Sequence, residues 1–269
     1  MQRPKADNFT AISRTYNQVT GGATRDVGKF ILSIAPKIDK SSHILDNACG
    51  TGIVSEEIRS IHKEAPIQAI DFSSGMIEVV RGLSEENNWE SFDAKEMNGQ
   101  ELEFPDETFT HSISNFGIFM FPDSRKGLSE ARRTLKTGGW IVVTSWSLVG
   151  WYQPLYAAFN RFKPNCNLFI PPKFPLWNTK QVAFNTLSEA GFKNVETLEY
   201  NTFAKQKNIE THVTLMTSSL KKQLMKDWPL TDISEFEAIL RDEFEKVVEV
   251  DEEGNYAIKM NSLVSHGIK

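Results

Sequence analysis

The sequence has few cysteines and no long apolar run. Its 269 residues include only two cysteines, Cys49 and Cys166, which are too few for a disulfide framework and favour a reducing, intracellular compartment. No apolar run approaches the roughly 18 residues that span a bilayer. The opening residues, MQRPKADNFT, lack the apolar core of a signal peptide. We therefore predict a cytoplasmic protein without membrane contact.

Positive charge is also in short supply. Thirty Lys and Arg stand against 35 Asp and Glu, which gives a net charge of −5. Nucleic-acid binding requires a broad basic field, so we expect no nucleic-acid partner. Aromatic residues, in contrast, are plentiful, with 18 Phe and six Trp.

Helical and strand patterns alternate along the chain. Apolar periodicity predicts helices over 25–35, 53–63, 75–87, 124–136, 179–190, 210–228 and 232–248. Short apolar runs predict strands over 43–45, 66–70, 95–97, 109–114, 140–145, 195–203 and 256–264. In the last helix, Asp232 and Glu235 have the spacing of a capping box. Such alternation predicts an α/β, Rossmann-like, doubly wound and mostly parallel sheet of about seven strands.

A glycine-containing loop, DNACGTG at 46–52, joins the first strand to a helix. Small residues there let the backbone approach a ligand, and the N–H groups that begin the helix face that ligand. Asp71 follows Gly52 by 19 residues, at the end of the next strand, where a carboxylate can accept hydrogen bonds from ribose hydroxyls. Together these features predict a nucleoside-type cofactor.

Dinucleotide-binding enzymes share this layout, so NAD-dependent hydride transfer is an alternative. Their fingerprint has a third glycine at the position where this sequence has Ser55. None of the five tyrosines has a lysine four residues later, the pair expected of a short-chain dehydrogenase. Hydride transfer is therefore the less favoured hypothesis.

Four segments resemble, in order and spacing, the motifs of class I S-adenosylmethionine-dependent methyltransferases. They are ILDNACGTG, AIDFSSGM, the run from Asn98 through ELEFPDETFTHSISNFGIFMFPD, and LKTGGWIVVTSW, within residues 10–146. In that superfamily the sequence looks most like small-molecule methyltransferases of fungal secondary metabolism, the group that includes gliotoxin-type thiol methyltransferases. The resemblance implies methyl transfer with S-adenosyl-L-methionine as the cofactor.

The resemblance also implies roles for the first motif residues. Asp46 matches the residue near the amino group of the methionine moiety, and Asp71 the acid that holds the ribose hydroxyls. Phe72 and Met76 match the apolar neighbours of adenine. Ala48 stands where the family usually has glycine.

Later motif residues complete the implied site. Asn98 and Gly99 match the pair that reads the adenine edge, where a carboxylate is more usual than an amide, although an amide oxygen can also accept from an amine. Asn115 and Phe116 match positions beside the sulfonium, and Tyr16 matches an aromatic residue that closes over the cofactor. The predicted cofactor site comprises Tyr16, Asp46, Asn47, Ala48, Cys49, Gly50, Gly52, Asp71, Phe72, Met76, Asn98, Gly99, Asn115 and Phe116.

Two stretches, 147–178 and 205–250, are predicted to be lid insertions within a single domain of residues 1–269. The first is rich in aromatic residues, and loops beyond the carboxyl ends of parallel strands surround the ligand crevice. We expect a small, largely apolar substrate, although these side chains can also simply pack the lid onto the sheet. The predicted substrate wall comprises Trp146, Trp151, Tyr152, Phe159, Phe169, Met216 and Met225.

Methyl transfer is an in-line displacement, so the site mainly has to align the reactants and exclude water. No residue is predicted with certainty to be catalytic. His212, in the second insertion, is the candidate base and substrate contact, with an exposed helix face as the alternative. No carboxylate pair or His/Asp cluster has metal-binding spacing, so we expect no metal.

Two other functions remain open. The same fold and cofactor serve enzymes that do not methylate, such as cyclases or decarboxylases. A non-catalytic module that holds a partner protein is a further alternative, favoured only by the acidic stretch 232–253. The oligomeric state is not predicted.

Overall fold

The computed structural model describes residues 9–10, 13–164 and 177–269. Within these ranges the strands are β1 (Ile44–Asn47), β2 (Ile67–Asp71), β3 (Phe92–Glu96), β4 (Phe109–Ser114), β5 (Leu135–Val149), β6 (Lys193–Gln206), β7 (Val248–Val250) and β8 (Tyr256–Ile268). They form one sheet with the order β3-β2-β1-β4-β5-β8-β6, and β7 pairs with β8. Strands β1 to β5 pair in parallel, whereas β8 is antiparallel to β5, β6 and β7. The predicted α/β, mostly parallel sheet is thus confirmed.

Several helices begin at a side chain that caps a backbone N–H group. Ser73, Asp123, Thr179 and Asn208 each accept a hydrogen bond from the N–H three residues later, the preferred N-cap arrangement. The helices are α1 (Tyr16–Val19), α2 (Ala23–Ile34), α3 (Ile53–Ile61), α4 (Ser74–Glu86), α5 (Ser124–Thr134), α6 (Tyr152–Phe162), α7 (Lys180–Glu189), α8 (Ile209–Gln223) and α9 (Leu230–Glu245), with short 3₁₀ turns at Ser13–Thr15 and Ile118–Met120.

Three strands at the antiparallel side of the sheet are longer than predicted. Strand β8 pairs with β6 from Tyr256 to Ile268, and with β5 from Met260 to Ile268. Most of its residues are buried, and both edges of its backbone are paired with neighbouring strands. Pairing with distant strands, which local periodicity does not report, extends these elements.

The main core lies between the sheet and the helices that flank it. All four residues of β1 are buried, and Ile44, Leu45, Phe109 and Ile113 have no exposed surface. Burying a side chain of this size contributes about 1.5–3 kcal/mol. The central strands therefore form a stiff platform, and their carboxyl ends are fixed in space.

A second hydrophobic core lies among α6, α8 and α9, beside β7 and the start of β8. Phe159 of α6 packs against Phe236 of α9, and Leu240 and Phe244 are fully buried. Helix α6 was not predicted, and it contains Pro154. The structure places Pro154 in the first turn, where its missing N–H has no intrahelical acceptor.

Helix α9 also differs from its predicted start. It begins at Leu230, directly after Pro229, and Asp232 lies inside its first turn. The predicted capping box of Asp232 and Glu235 is therefore wrong. Proline fixes the backbone that leads into the helix, and no side chain caps it.

Acidic side chains of α9 form ion pairs with neighbouring helices. Asp242 and Glu243 both contact Arg161 of α6, and Glu237 contacts Lys221 of α8. The acidic stretch is thus partly neutralised within the chain. None of the helices in the described ranges is long and apolar enough to cross a membrane.

Candidate active site

A cavity of about 350 Å³ lies at the carboxyl ends of the central parallel strands. This volume falls within the range of small-molecule sites, and the carboxyl edge is where open α/β sheets bind ligands. Of the fourteen residues predicted for the cofactor site, thirteen line it: Tyr16, Asp46, Asn47, Ala48, Cys49, Gly50, Asp71, Phe72, Met76, Asn98, Gly99, Asn115 and Phe116.

The loop after β1 is held in place by its neighbour β2. The Cys49 N–H donates to the carbonyl oxygen of Ile70 at 2.8 Å, and the Gly50 N–H donates to Asp71 Oδ2 at 2.9 Å. Both Ala48 and Gly50 have left-handed backbone angles, with φ of 61° and 54°. Because alanine has a Cβ, that conformation costs it about 1–2 kcal/mol.

Asp71 links the loop after β1 to the residues that follow β2. Its second carboxylate oxygen, Oδ1, accepts from the Ser73 N–H at 2.9 Å, so both oxygens hold backbone groups at the cavity. The residue is 6% exposed, and burial raises the pKa of its carboxyl. Each carboxylate oxygen has further lone pairs, so Asp71 can still accept hydrogen bonds from a ligand.

Asp46 is even more deeply buried, with 1% exposure. Its Oδ2 accepts from the Ser55 hydroxyl at 2.6 Å and from the Ser55 N–H at 3.2 Å. Burial, together with the negative charge of Asp71, raises the pKa of Asp46 to about 7. In the sequence Ser55 marks only a missing glycine, whereas in the structure it anchors Asp46 from the first turn of α3.

The wall at the end of β4 is built from Asn115 and Phe116. The Asn115 amide donates to the Thr24 carbonyl at 3.0 Å and accepts from the Thr144 hydroxyl at 2.9 Å. The Phe116 N–H donates to the same Thr144 oxygen at 2.8 Å. Phe116 has a φ of 60° and stacks on Trp146, with the ring centroids 3.9 Å apart. Contacts from α2 and β5 therefore position this wall.

The N-terminal segment covers one side of the cavity. Thr51 donates to Asn17 Oδ1 at 2.7 Å, and the hydroxyls of Thr10 and Ser73 lie 2.9 Å apart. Burial and the nearby charge of Asp71 raise the pKa of Tyr16 to about 12, so its hydroxyl stays neutral at physiological pH.

Gly52 is the one predicted cofactor residue that does not line the cavity. It precedes α3 with a φ of 84°, and a Cβ built there would lie 2.3 Å from Val80 Cγ2 of α4. Its small size therefore serves the packing of α3 against α4 rather than ligand contact.

Asn98 lines the cavity, but its acceptor is used within its own loop. Its Oδ1 accepts from the Gln100 N–H at 3.0 Å and from the Gln100 side-chain amide at 3.2 Å, and the residue is exposed. The amide oxygen that the adenine-edge role of Asn98 requires is therefore already engaged.

Sequence reasoning gave no individual role to several lining residues. The most informative are in the loop after β4, where GIFMFP follows Phe116. That run is apolar and aromatic although it lies outside a strand, and this is a usable signal for a ligand wall. The residues without an individual prediction are Phe9, Thr24, Thr51, Ile53, Val54, Met97, Gln100, Gly117, Met120, Phe121 and Pro122.

The predicted substrate wall is not assembled on this cavity. Phe159 and Met225 are almost fully buried in the second core, and Met216 packs against it. Trp151 and Tyr152 pack on each other beside Val149 of β5, and Phe169 lies outside the described residues. These placements agree with the packing alternative. Trp146 approaches the cavity only through its stack with Phe116.

His212 does not reach the cavity either. It is 8% exposed, its ring lies near Phe244, and its Nε2 is 2.8 Å from the Tyr256 carbonyl oxygen. Nε2 therefore carries the proton and donates it to that carbonyl, and burial lowers the pKa of the ring. The structure therefore does not bring the candidate base to the cavity. No cluster of three potential metal ligands occurs in the part of the chain that the structure describes.

The fold and the cavity are those of the class I S-adenosylmethionine-dependent methyltransferases. The model of the ubiE/COQ5 methyltransferase family matches residues 10–170. The chain therefore belongs to the ubiE/COQ5 methyltransferase family. Membership argues against the alternative of NAD-dependent hydride transfer.

Individual relatives agree with this assignment. The chain is 32% identical over 113 residues to the methyltransferase tpcH of Aspergillus fumigatus, a match that covers 40% of each chain. It is 31% identical over 145 residues to the demethylmenaquinone methyltransferase of Listeria welshimeri, covering 51% of this chain and 60% of the relative. The crystal structure of YcgJ from Bacillus subtilis has a TM-score of 0.58 at 16% identity, covering 90% of this chain and 97% of YcgJ. The chain thus spans 40 to 60% of the length of these two curated relatives.

Gly50 and Gly52 differ in the room that a side chain would have, so we expect their alanine variants to differ in stability. Gly52→Ala is expected to lose about 2–4 kcal/mol of unfolding free energy, because a left-handed backbone and a collision with Val80 add together. The control Gly50→Ala meets no atom within 4 Å and is expected to lose only about 1–2 kcal/mol. Urea denaturation measures both, and equal losses would contradict the packing role of Gly52.

Proposed function

We propose that the protein transfers a methyl group from S-adenosyl-L-methionine to S, O or N of a small, largely apolar metabolite in the cytoplasm, as part of secondary metabolism. The observation that carries this proposal is that Asp46, Asp71 and the loop residues 47–51 line one cavity. Family membership and the fungal relative tpcH support it.

The residues on the cavity suit such a cofactor. A buried carboxylate at Asp46 attracts the cationic amino group of a methionine moiety, and Asp71 retains lone pairs for ribose hydroxyls. Phe72 and Met76 offer apolar surface to a base, and Tyr16 stays neutral beside them. These assignments use groups that other contacts already orient.

When bound, the cofactor supplies a methyl group on a sulfonium, which leaves as a neutral thioether when the nucleophile bonds to the methyl carbon. The protein's own task is to align the nucleophile and to exclude water. Alignment alone can contribute about 7–11 kcal/mol to lowering the barrier. Asn115, Phe116 and Trp146 form a wall fixed by hydrogen bonds and stacking, which suits that task.

An apolar substrate agrees with the remaining lining. Phe116, Met120 and Phe121 present apolar side chains to the cavity, and few charged groups accompany them. One relative is named demethylmenaquinone methyltransferase, so the acceptors to be tested include the reduced quinol form of an apolar quinone besides thiols, phenols and amines.

The direct test of the reaction is incubation with methyl-labelled cofactor and such a panel of acceptors. We expect at least one acceptor to gain a single labelled methyl group while S-adenosylhomocysteine is released in equal amount, as mass spectrometry detects. Conversion of an acceptor without consumption of the cofactor would instead support a cyclase or decarboxylase.

Cofactor binding depends on Asp71. Asp71→Ala is expected to weaken S-adenosylhomocysteine binding by at least about tenfold, because a hydrogen bond to a charged group is worth about 1.5–3 kcal/mol. Isothermal titration calorimetry measures the affinity, and thermal melting checks that the loop still folds. The control Asp93→Ala removes an exposed carboxylate of β3 that pairs only with groups on the surface and should leave the affinity unchanged. An unaltered affinity in Asp71→Ala would mean that the ribose contact is misassigned.

The raised pKa of Asp46 makes the affinity depend on pH. The ligand's ammonium group binds the deprotonated carboxylate, so affinity is full above the pKa of about 7 and declines below it. Between about pH 7 and about pH 6 the dissociation constant should rise about fivefold, while the ligand's amino group, with a pKa near 8, stays protonated. Calorimetry at the two pH values measures this change. In Asp46→Asn the binding should be weaker and nearly independent of pH, and an equally steep dependence there would assign the titration to another group.

A further inference from the structure

Asn47, the last residue of β1, has a buried side chain without partners. It has no exposed surface, and neither its amide nitrogen nor its amide oxygen has a hydrogen-bond partner among the described residues. Buried polar groups are almost always paired, so an amide with both ends free is unusual. Because Asn47 also lines the cavity, the missing partner is expected to come from a ligand.

The direction of Asn47 follows from its place in the strand. Successive side chains of a strand point to opposite faces of the sheet. Asp46 faces α3, where it bonds to Ser55, and Asn47 therefore faces the side of Gly99 and the loop after β4. A Cβ built on Gly99 would lie 2.6 Å from Asn47 Oδ1 and 2.6 Å from the ring of Phe121. Only glycine at position 99 leaves room for the amide beside this loop.

The amide of Asn98, the neighbouring candidate for base recognition, is already engaged. Its oxygen accepts two hydrogen bonds from Gln100, and the residue is exposed. Asn47 has the opposite properties, since it is buried and unpaired. Its amide oxygen and the ring of Phe121 both lie beside Gly99, and hydrogen bonds are stronger where water is excluded.

We propose that Asn47 is a specificity-determining residue that reads the nucleobase of the cofactor; this inference rests on the proposed function. An amide oxygen accepts from an exocyclic amine, while the amide nitrogen donates to a ring nitrogen. This is the pairing by which asparagine recognises adenine elsewhere. The amide at position 47 thus takes the role that the family resemblance assigns to position 98.

The test compares two ligands that differ only in the base. S-adenosylhomocysteine carries an exocyclic amine, and S-inosylhomocysteine carries a carbonyl in its place. Calorimetry gives the ratio of their dissociation constants for each protein. Wild type should prefer the adenosyl ligand, and Asn47→Leu, which keeps the size of the side chain, should lower the ratio at least tenfold. The matched control Asn98→Ala should keep the wild-type ratio.

A second measurement separates recognition from packing. In the protein without ligand, Asn47→Leu removes two orphaned polar atoms, so its melting temperature should equal or exceed that of wild type. A lowered melting temperature together with an unchanged ratio would show that the amide has only a structural role. Asn47→Ala, which cannot collide with Phe121, provides the same comparison if the leucine variant does not fold.

The outcomes distinguish this inference from the function on which it rests. If wild type binds neither ligand, the proposed function fails, and the base recognition fails with it. If wild type binds S-adenosylhomocysteine but the ratio changes in Asn98→Ala and not in the Asn47 variants, only the inference about Asn47 is overturned.

Discussion

Two buried carboxylates at the carboxyl ends of the parallel strands impose the main electrostatic constraint on this protein. Asp46 and Asp71 lie at the ends of adjacent parallel strands, nearly without contact with solvent, and each raises the cost of charging the other. Backbone N–H groups and Ser55 stabilise these charges only in part. A cationic ligand would offset the remaining negative charge, whereas a dinucleotide with its anionic pyrophosphate would add repulsion. In the proposed reaction the ligand also loses its sulfonium charge, so the same carboxylates bind the product less strongly than the substrate form.

The aromatic residues of the sequence build both cores. Phe109 and Phe116 belong to the main core, and Phe159 and Phe236 fill the second core among α6, α8 and α9. A helix layer of this size must bury its own apolar stripe, and Ile258 of β8 helps to cover it. The described parts of the insertions are therefore packed structure, although sequence reasoning assigned several of their residues to substrate contact.

What the sequence predicted well is local, and what it missed depends on contacts between distant segments. The loop 46–52 and Asp71 follow from glycine placement and strand endings, so thirteen of the fourteen proposed cofactor residues meet on one cavity. Nothing near Ser55 or Thr144 in the chain indicates that they bind Asp46 and Asn115. The need for small size at Gly52 comes from Val80, which is 28 positions away. The backbone partner that holds His212 away from the cavity lies on β8.

Trp146 joins the wall at the end of β4 to a further group of packed side chains. Phe116 lies on the cavity in a left-handed conformation, a costly state that persists only when its surroundings enforce it. On one side Thr144 and Asn115 tie it to β5 and α2, and on the other Trp146 stacks on its ring. Trp146 in turn packs against the cluster that contains Val149 and Met260, and Trp151 of the first insertion packs against the same cluster. Contacts outside the cavity therefore fix the position of Phe116 on it, because Trp146 itself does not line the cavity.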